Sequence, residues 1–416
     1  MDGMTTAGVG ALIESYAEAH EVLRDRRFAG GVGRPEGRDF LGDSLVVIDG
    51  PEHLARRRMY MPLMAEDFLT RLEREVAVPV LASALDRHLR PGPDGYPRAD
   101  LVALVRDVYM RLAAALIGFA DHDGENVSTR LHELLGPLSE GATVEWSPRD
   151  HDEVRRDGLA AKEAYRQEFF LPAWRLRREL VDRHRAGELD RAELPVDLLT
   201  LLALNFQPHW DEDLPVRESI LFLAGSTGNP VGHVVYAVED LAHWLAEHPA
   251  DRQRLPDEAF LRAAVDETLR LHIPGTPVLL REALADVTLH VTGRDITAGT
   301  VVGVDMTAAN RDPAVFGHDA DRYDPHRADR LPERVKQYGV AFGGGPHVCL
   351  GRSLVLGRTT GLGIDGMQYL VLRALLDAGV EADPGDAPRL AASGQRHYAY
   401  FPVRFRADDP IPAEAE

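Results

Sequence analysis

A single cysteine, Cys349, stands in AFGGGPHVCLGRSLV, residues 341–355. Three consecutive glycines and a proline precede it and an apolar pattern at helical spacing follows, which places the sulfur at or just before a helix N-terminus. Backbone N–H groups and the positive end of a helix dipole favour a thiolate there and predict a lowered pKa. The glycines admit close backbone approach by a large flat group. A lone cysteine is most often a buried, inert side chain, so the spacing decides between the two readings. Two further pairs have helical spacing: His53 and Arg57 in DGPEHLARRR, and Glu267 and Arg270 in DETLRLHIPG. The first pair points its donors the same way from a helix whose first turn carries Pro51. The second can form an ion pair on one helix face. Each alone is what a solvated helix surface produces.

FGGGPHVCLG, Phe342 to Gly351, matches without a gap the F-G-x-G-x-H-x-C-x-G haem-binding signature of the cytochrome P450 family. On this motif the chain resembles that family over roughly residues 16–405. The resemblance implies that Cys349 is the axial thiolate ligand of a haem b iron. It also implies that Phe342 packs beside the sulfur, that Gly343, Gly345 and Gly351 belong to the haem cradle, and that His347 approaches a propionate. His53 and Arg57 resemble the family's H-x-x-x-R pair, and Arg281 a further propionate arginine. Two propionates carry two negative charges, which such donors neutralise and orient. Glu267 and Arg270 resemble the K-helix Glu and Arg, with Arg322, in NRDPAVFGHDADRYDPHR, as the expected partner arginine of that network.

Ile220, Leu221, Leu223 and Ala224 run into Gly225-Ser226-Thr227-Gly228-Asn229-Pro230, after which Val231, Val234, Val235, Val238, Leu241 and Leu245 resume a helical stripe. In a helix, each Gly costs roughly 1 kcal/mol and Pro roughly 3. The segment is therefore expected either as a loop between two helices or as a local widening where a ligand lies against the backbone. By resemblance it is the I helix on the distal side of the haem, with Ala224 and Gly225 against the cofactor. The family's usual pattern there is Ala/Gly-Gly-x-Asp/Glu-Thr, an acid–alcohol pair that relays protons to dioxygen. Here Thr227 takes the acid position and Gly228 the alcohol position, so the pair is missing. A water chain held by Thr227, Ser226 or Asn229, a substrate hydroxyl, or a reaction other than oxygen insertion are the alternatives left open.

The elements that must position these residues are mostly helical. Apolar residues at i, i+3, i+4 predict helices over 16–24, 51–63, 69–89, 101–117, 160–185, 196–204 and 367–378. Short β-branched runs predict strands at 276–280, 287–291 and 300–304. The expected fold class is mainly α with small β-sheets (α+β), the architecture of the family, with haem between the I helix and the Cys349 loop. No linker or repeat divides the 416 residues, so one domain over 1–416 is expected. The usual first helix and first strands are expected to be largely missing ahead of Tyr16. Gly361-Leu362-Gly363-Ile364-Asp365-Gly366 matches G-x-G-x-x-G, but lacks the preceding strand and surrounding βαβ unit of a dinucleotide site. GVGRPEG at 31–37 reads as a loop, and DHDGEN at 121–126 lacks the remaining ligands of a calcium loop.

The chain is 44% hydrophobic and 27% charged, as a soluble globular protein is, and its net charge of −20 argues against a nucleic-acid partner. It lacks a membrane-length apolar stretch and a secretory start, so a cytoplasmic location is expected. The expected activity is that of a haem-thiolate oxidoreductase. It would be a monooxygenase acting on a mid-sized organic molecule of secondary-metabolite type, with electrons from a ferredoxin and its reductase. Arg56, Arg58 and Arg352 are expected to form the ferredoxin's docking patch. Val278, Leu279, His397 and Tyr398 are expected near the substrate. The alternatives are a haem-thiolate enzyme that works with peroxide or couples and cyclises its substrate, and a haem-binding protein without catalysis.

Overall fold

The hydrophobic stripe that resumes after Pro230 belongs to one helix, Leu214–Glu247, of 34 residues. This computed structural model describes all residues except 1–8, 31–36, 120–123, 125, 274, 276–277, 359–360, 362, 392–396 and 407–416. Neither the loop nor the widening expected at residues 225–230 occurs, because the helix runs through them; π-helical turns lie instead at Leu72–Ala77 and Arg166–Phe170. Packing overrides the unfavourable propensity: Val231, Val234, Val235, Val238, Leu241 and Leu245 are buried in contact with helices Leu101–Ile117, Glu258–Leu271 and Met367–Asp377. Pro230 has no N–H, so the Ser226 carbonyl loses its helical donor. The Pro230 carbonyl itself accepts from Gln368 Nε2 at 3.1 Å, a buried bond that ties the central helix to Met367–Asp377.

Around this axis the expected helices form at Tyr16–Val22, Gly50–Tyr60, Val78–His88, Leu101–Ile117, Leu171–Arg185 and Leu198–Asn205. Asp49, Asp100, Asp150, Asp197 and Asp257 each cap a helix by accepting a first-turn N–H, worth about 1 kcal/mol apiece. A further helix, Val127–Ala142, was not expected; Gly136, Pro137 and Gly141 mask a stripe of buried Leu131, Leu134, Leu135 and Leu138.

Four strands form the largest sheet, in the order Ala11–Ile13, Val301–Asp305, Val278–Ala283, Phe28–Ala29. Ala11–Ile13 pairs parallel with Val301–Asp305 and the other pairs are antiparallel. Short strands therefore flank the Tyr16–Val22 helix, Ala11–Ile13 before it and Phe28–Ala29 after it. Val287–Thr288 is shorter than expected and pairs with Asp295–Ile296.

After the cysteine, helix Arg352–Leu356 stops and an insert separates it from Met367–Asp377. The insert doubles back through a single bridge between Arg358 and Ile364. Its neck is clamped by the Glu73 carboxylate, which accepts from Asp365 N at 3.2 Å and Gly366 N at 2.7 Å. Arg262 donates to the Leu356 and Asp365 carbonyls from the other side. Among the described residues a helix, Arg352–Leu356, and no strand precedes these glycines, which does not fit a dinucleotide site. Residues 31–36 and most of 121–126 lie outside the described residues.

Candidate functional site

The Cys349 loop is held by its own backbone. Cys349 N donates to Phe342 O at 2.9 Å, Gly343 N to Val340 O at 2.8 Å, and Val348 N to Gly345 O at 3.2 Å. Gly343 and Gly345 have φ of 66° and 60°, and a Cβ on Gly345 would lie 2.5 Å from the Leu23 carbonyl oxygen, so glycine alone fits where the loop meets the end of the first helix. The Phe342 ring stands edge-on to Tyr338. Cys349 has accessible surface and is nonetheless ringed by protein, as expected of a group facing an internal space. Burial pushes its thiol up, and the N–H groups of Gly351 and Arg352 with the guanidinium groups of Arg57 and Arg352 only partly offset this. The expected lowering is thus not found. The helix behind the sulfur is five residues long and supplies little dipole.

The donors expected at the propionates converge. His53 and Arg281 are buried, and Arg57 is half-buried. The His53 and His347 rings stack at 4.1 Å. His53 Nδ1 is buried without a hydrogen-bond partner among the described residues, and the Arg281 guanidinium bonds only the neighbouring Leu280 carbonyl, at 2.7 Å. His347 Nε2 lies 3.2 Å from Asp49 Oδ2 without hydrogen-bond geometry. Among the described residues Asp49 is the one carboxylate paired with this cluster, and it is already engaged with Gly30 N at 2.5 Å and Gly50 N at 2.8 Å. Burial pushes His53 down to about 4, helped by His347 and Arg57, so its imidazole is neutral at neutral pH. Each unmatched buried donor costs about 1–3 kcal/mol. The cluster therefore fits a group whose edge carries carboxylates, as haem b does.

On the central helix, a Cβ built on Gly225, Gly228 or Gly232 meets nothing within 4 Å, and Gly225, Gly228 and Asn229 are exposed. Their spacing makes one open helix face. Ala224, one residue back, is half-buried and packs against the core. Thr227 does not share the open face: it is buried and its hydroxyl donates to Leu223 O at 2.7 Å. The structure therefore corrects its expected place in a relay. Asn229 reaches toward the loop after the Glu258–Leu271 helix, its Oδ1 3.3 Å from a Cβ placed on Gly275. Leu279 Cδ1 is 3.8 Å from a Cβ placed on Gly343, so Val278–Ala283 borders the cysteine loop. Val278 instead faces Gly303. Tyr398 donates to Glu239 at 2.6 Å and packs its ring on Tyr236 and Phe401, which ties it to the flank of the central helix.

Glu267 and Arg270 do pair, at 0% exposure. Their partner is not Arg322 but Arg327, whose Nε donates to Glu267 Oε1 at 2.8 Å. Arg322 contributes only its backbone carbonyl, accepting from both Arg270 and Arg327. Arg56 is likewise lost from the expected docking patch: it is buried and bonds Glu52, Glu218 and the Asp43 carbonyl. Arg58 and Arg352 are exposed, as expected of such a patch. Helix phase could have shown this, because 53, 56 and 60 lie on one face.

The model of the family described as Cytochrome P450 matches residues 243–356, which include both the Glu267 helix and the Cys349 loop. Mycinamicin IV hydroxylase/epoxidase of Micromonospora griseorubida is 30% identical over 355 residues, covering 82% of this chain and 77% of that protein. The chain belongs to the cytochrome P450 family. Luteothin monooxygenase of Streptomyces thioluteus is 28% identical over 363 residues, with the same coverages of 82% and 77%. This cytochrome P450 is a monooxygenase, and its cofactor is haem b. Its fold matches that of CYP109E1 from Bacillus megaterium in complex with testosterone, with a TM-score of 0.68 at 18% identity over 97% of both chains. CalO2 gives 0.69 at 22% identity over 96% of this chain and 93% of that one. No helix among the described residues is long and apolar enough to cross a membrane.

Proposed function

We propose that this cytochrome P450 inserts one atom of O2 into a mid-sized, largely apolar organic substrate held under the open face of the central helix, with electrons from a ferredoxin and its reductase. The observation that carries this reading is the unfilled face at Gly225, Gly228 and Gly232, where no protein atom occupies the space that side chains would fill. The hydroxylase/epoxidase name of the Micromonospora relative supports insertion. Bound through Cys349, the haem supplies the redox chemistry that splits the O–O bond. His53, Arg57 and Arg281 bind and orient its propionates, with His347 stacked behind His53. Gly343, Gly345 and Gly351 bring the loop backbone close, and Phe342 covers the sulfur. Ala224 and Gly225 border the distal space.

Protons need a route that bypasses Thr227, whose hydroxyl is engaged with Leu223. The Ser226 carbonyl, freed by Pro230, accepts from a water, and the Asn229 amide on the open face holds the next one. Exposed Arg58 and Arg352 receive an acidic ferredoxin. A second reading, peroxide-driven or coupling chemistry, is favoured by one observation: no hydroxyl stands at Gly228. Turnover with ferredoxin, reductase and isotopically labelled O2 separates the two. Label in the product is expected; a dehydrogenated product without label, or equal turnover with peroxide alone, selects the second reading. In parallel, the carbon monoxide complex of the reduced protein is expected to show a strongly red-shifted Soret band that Cys349→Ser removes.

A further inference from the structure

Against the Cys349 loop, with no residue of the central helix in its lining, lies a recess of about 230 Å³. Its floor is the 342–345 stretch with Val348, and its rim is the first helix and the segment before the loop. Five cationic or titratable basic side chains converge on it: His20, Arg24, Arg334, Lys336 and Arg352. No carboxylate lines it among the described residues. This is unusual placement in a chain of net charge −20, and Lys336 is one of only two lysines in the sequence. Arg24, Arg334 and Lys336 make no hydrogen bond or ion pair among the described residues, although most other arginines of this protein are paired. Like charges gathered around a concave wall raise the local potential and repel one another. Burial and the Arg24 charge push His20 down, so its imidazole is neutral at neutral pH and four of the five are cations; an exposed cation that only needs water has no reason to share a recess with three others.

We propose that this recess binds a small, multiply charged oxyanion of the phosphate class. Guanidinium groups offer planar forks of donors to such an anion, and Lys336 adds a point charge. Tyr16 and Tyr338 line the same recess, and their hydroxyls stay protonated because burial raises both. They donate to an anion without adding charge. A monoanion would leave most of the positive charge unmatched, whereas a diphosphate balances it. Asp266 is outside the lining, although it lies near enough to Lys336 and Tyr338 to act on both electrostatically. The recess shares the backbone of Phe342, Gly343 and Gly345 with the proposed haem cradle, and it does not depend on the oxygen-insertion reading.

The test is calorimetric titration of the purified holoenzyme with inorganic pyrophosphate at constant ionic strength set by sodium chloride. Saturable binding of one pyrophosphate per chain is expected, with a rise in melting temperature that follows occupancy. The double variant Arg334→Gln, Lys336→Gln should bind about tenfold or more weakly, since each charged hydrogen bond carries that much affinity. Both residues are exposed, so the variant disturbs no core. Arg175→Gln, an exposed arginine on another face, should change nothing. Three results would overturn the proposal: no saturable binding, binding undiminished in the double variant, or displacement by chloride as effective as that by inorganic phosphate. A fourth would also overturn it: a double variant whose only loss is slower reduction by ferredoxin, which would assign these cations to a protein partner's carboxylates.

Discussion

Two buried charge clusters in this protein are built on opposite plans. Around Glu267, nothing is left over. Arg270 donates to both Glu267 oxygens at 2.9 and 2.7 Å and to the Asn310 and Ala320 carbonyls at 2.7 and 2.6 Å. Arg327 bonds Glu267, the Phe316 and Asp319 carbonyls and the Arg322 carbonyl, while Asp324 N and Gln337 fill the remaining positions on the carboxylate. Around His53, Arg57, Arg281 and His347 the donors outnumber their acceptors, and two ring nitrogens, His53 Nδ1 and His347 Nε2, have no hydrogen-bond partner among the described residues. A closed cluster fixes the segment that leads into the Cys349 loop. An open cluster holds its donors in place for an acceptor that arrives with the cofactor, and the cost of leaving them unmatched is offset only then.

Removing the central acceptor of the closed cluster should have the largest effect. Glu267→Ala leaves Arg270 at 0% exposure without its counter-charge and Arg327 with the Asp319 carboxylate alone, a loss of about 3–5 kcal/mol. Loss of soluble, haem-loaded protein is the expected outcome, and a denaturation midpoint close to wild type would break the distinction. In the open cluster, Arg281→Met should behave oppositely. The apoprotein should be as stable as wild type or more so, because a desolvated cation is gone. Haem should transfer to an acceptor apoprotein about tenfold faster, from the loss of one charged hydrogen bond. A destabilised apoprotein with unchanged haem transfer would show that Arg281 is scaffold, not cradle.

The open cluster was more legible in the sequence than the closed one, for a physical reason. His53 and Arg57, and the residues from Phe342 to Gly351, owe their geometry to local spacing, so short motifs carry them. Arg327 is brought to Glu267 by a long irregular segment whose path no periodicity encodes, and Arg322, five residues earlier, was the wrong choice. Arg56 was misplaced because three successive arginines look alike until helix phase separates a buried one from an exposed one. The continuity of Leu214–Glu247 was hidden because propensity is local, while the valine stripe that holds the helix acts through contacts with other helices.

Asp266 offers a sharper version of the contrast, being the neighbour of Glu267 on the same helix but without a hydrogen-bond partner among the described residues. Burial raises it from its ordinary 3.8 to about 7, with Glu267 adding to the rise. Between those values the unfolded chain binds fewer protons than the folded one, so this residue's contribution to stability falls as pH rises from about 4 to 7 and is level above. Asp266→Asn should therefore be more stable than wild type at pH 8, by about 1–2 kcal/mol once its partial exposure is allowed for, and equal to it near pH 4. Denaturation midpoints of both proteins at the two pH values decide it. A variant less stable than wild type at pH 8 would mean that Asp266 is a matched charge after all.

The smallest expected effect on the fold is that of Gly228→Thr, which tests openness where no charge is involved. A Cβ there meets nothing within 4 Å, and replacing glycine inside a helix should gain a few tenths of a kcal/mol. Stability should thus be nearly unchanged, and any difference in turnover belongs to the hydroxyl. If the enzyme inserts oxygen and is limited by a makeshift water chain from Ser226 to Asn229, the added hydroxyl should reduce the share of reducing equivalents lost as hydrogen peroxide, by up to about tenfold. Asn229→Ala should raise that share. If neither variant alters it while turnover with added peroxide persists, the open face serves substrate alone and protons are not drawn through it.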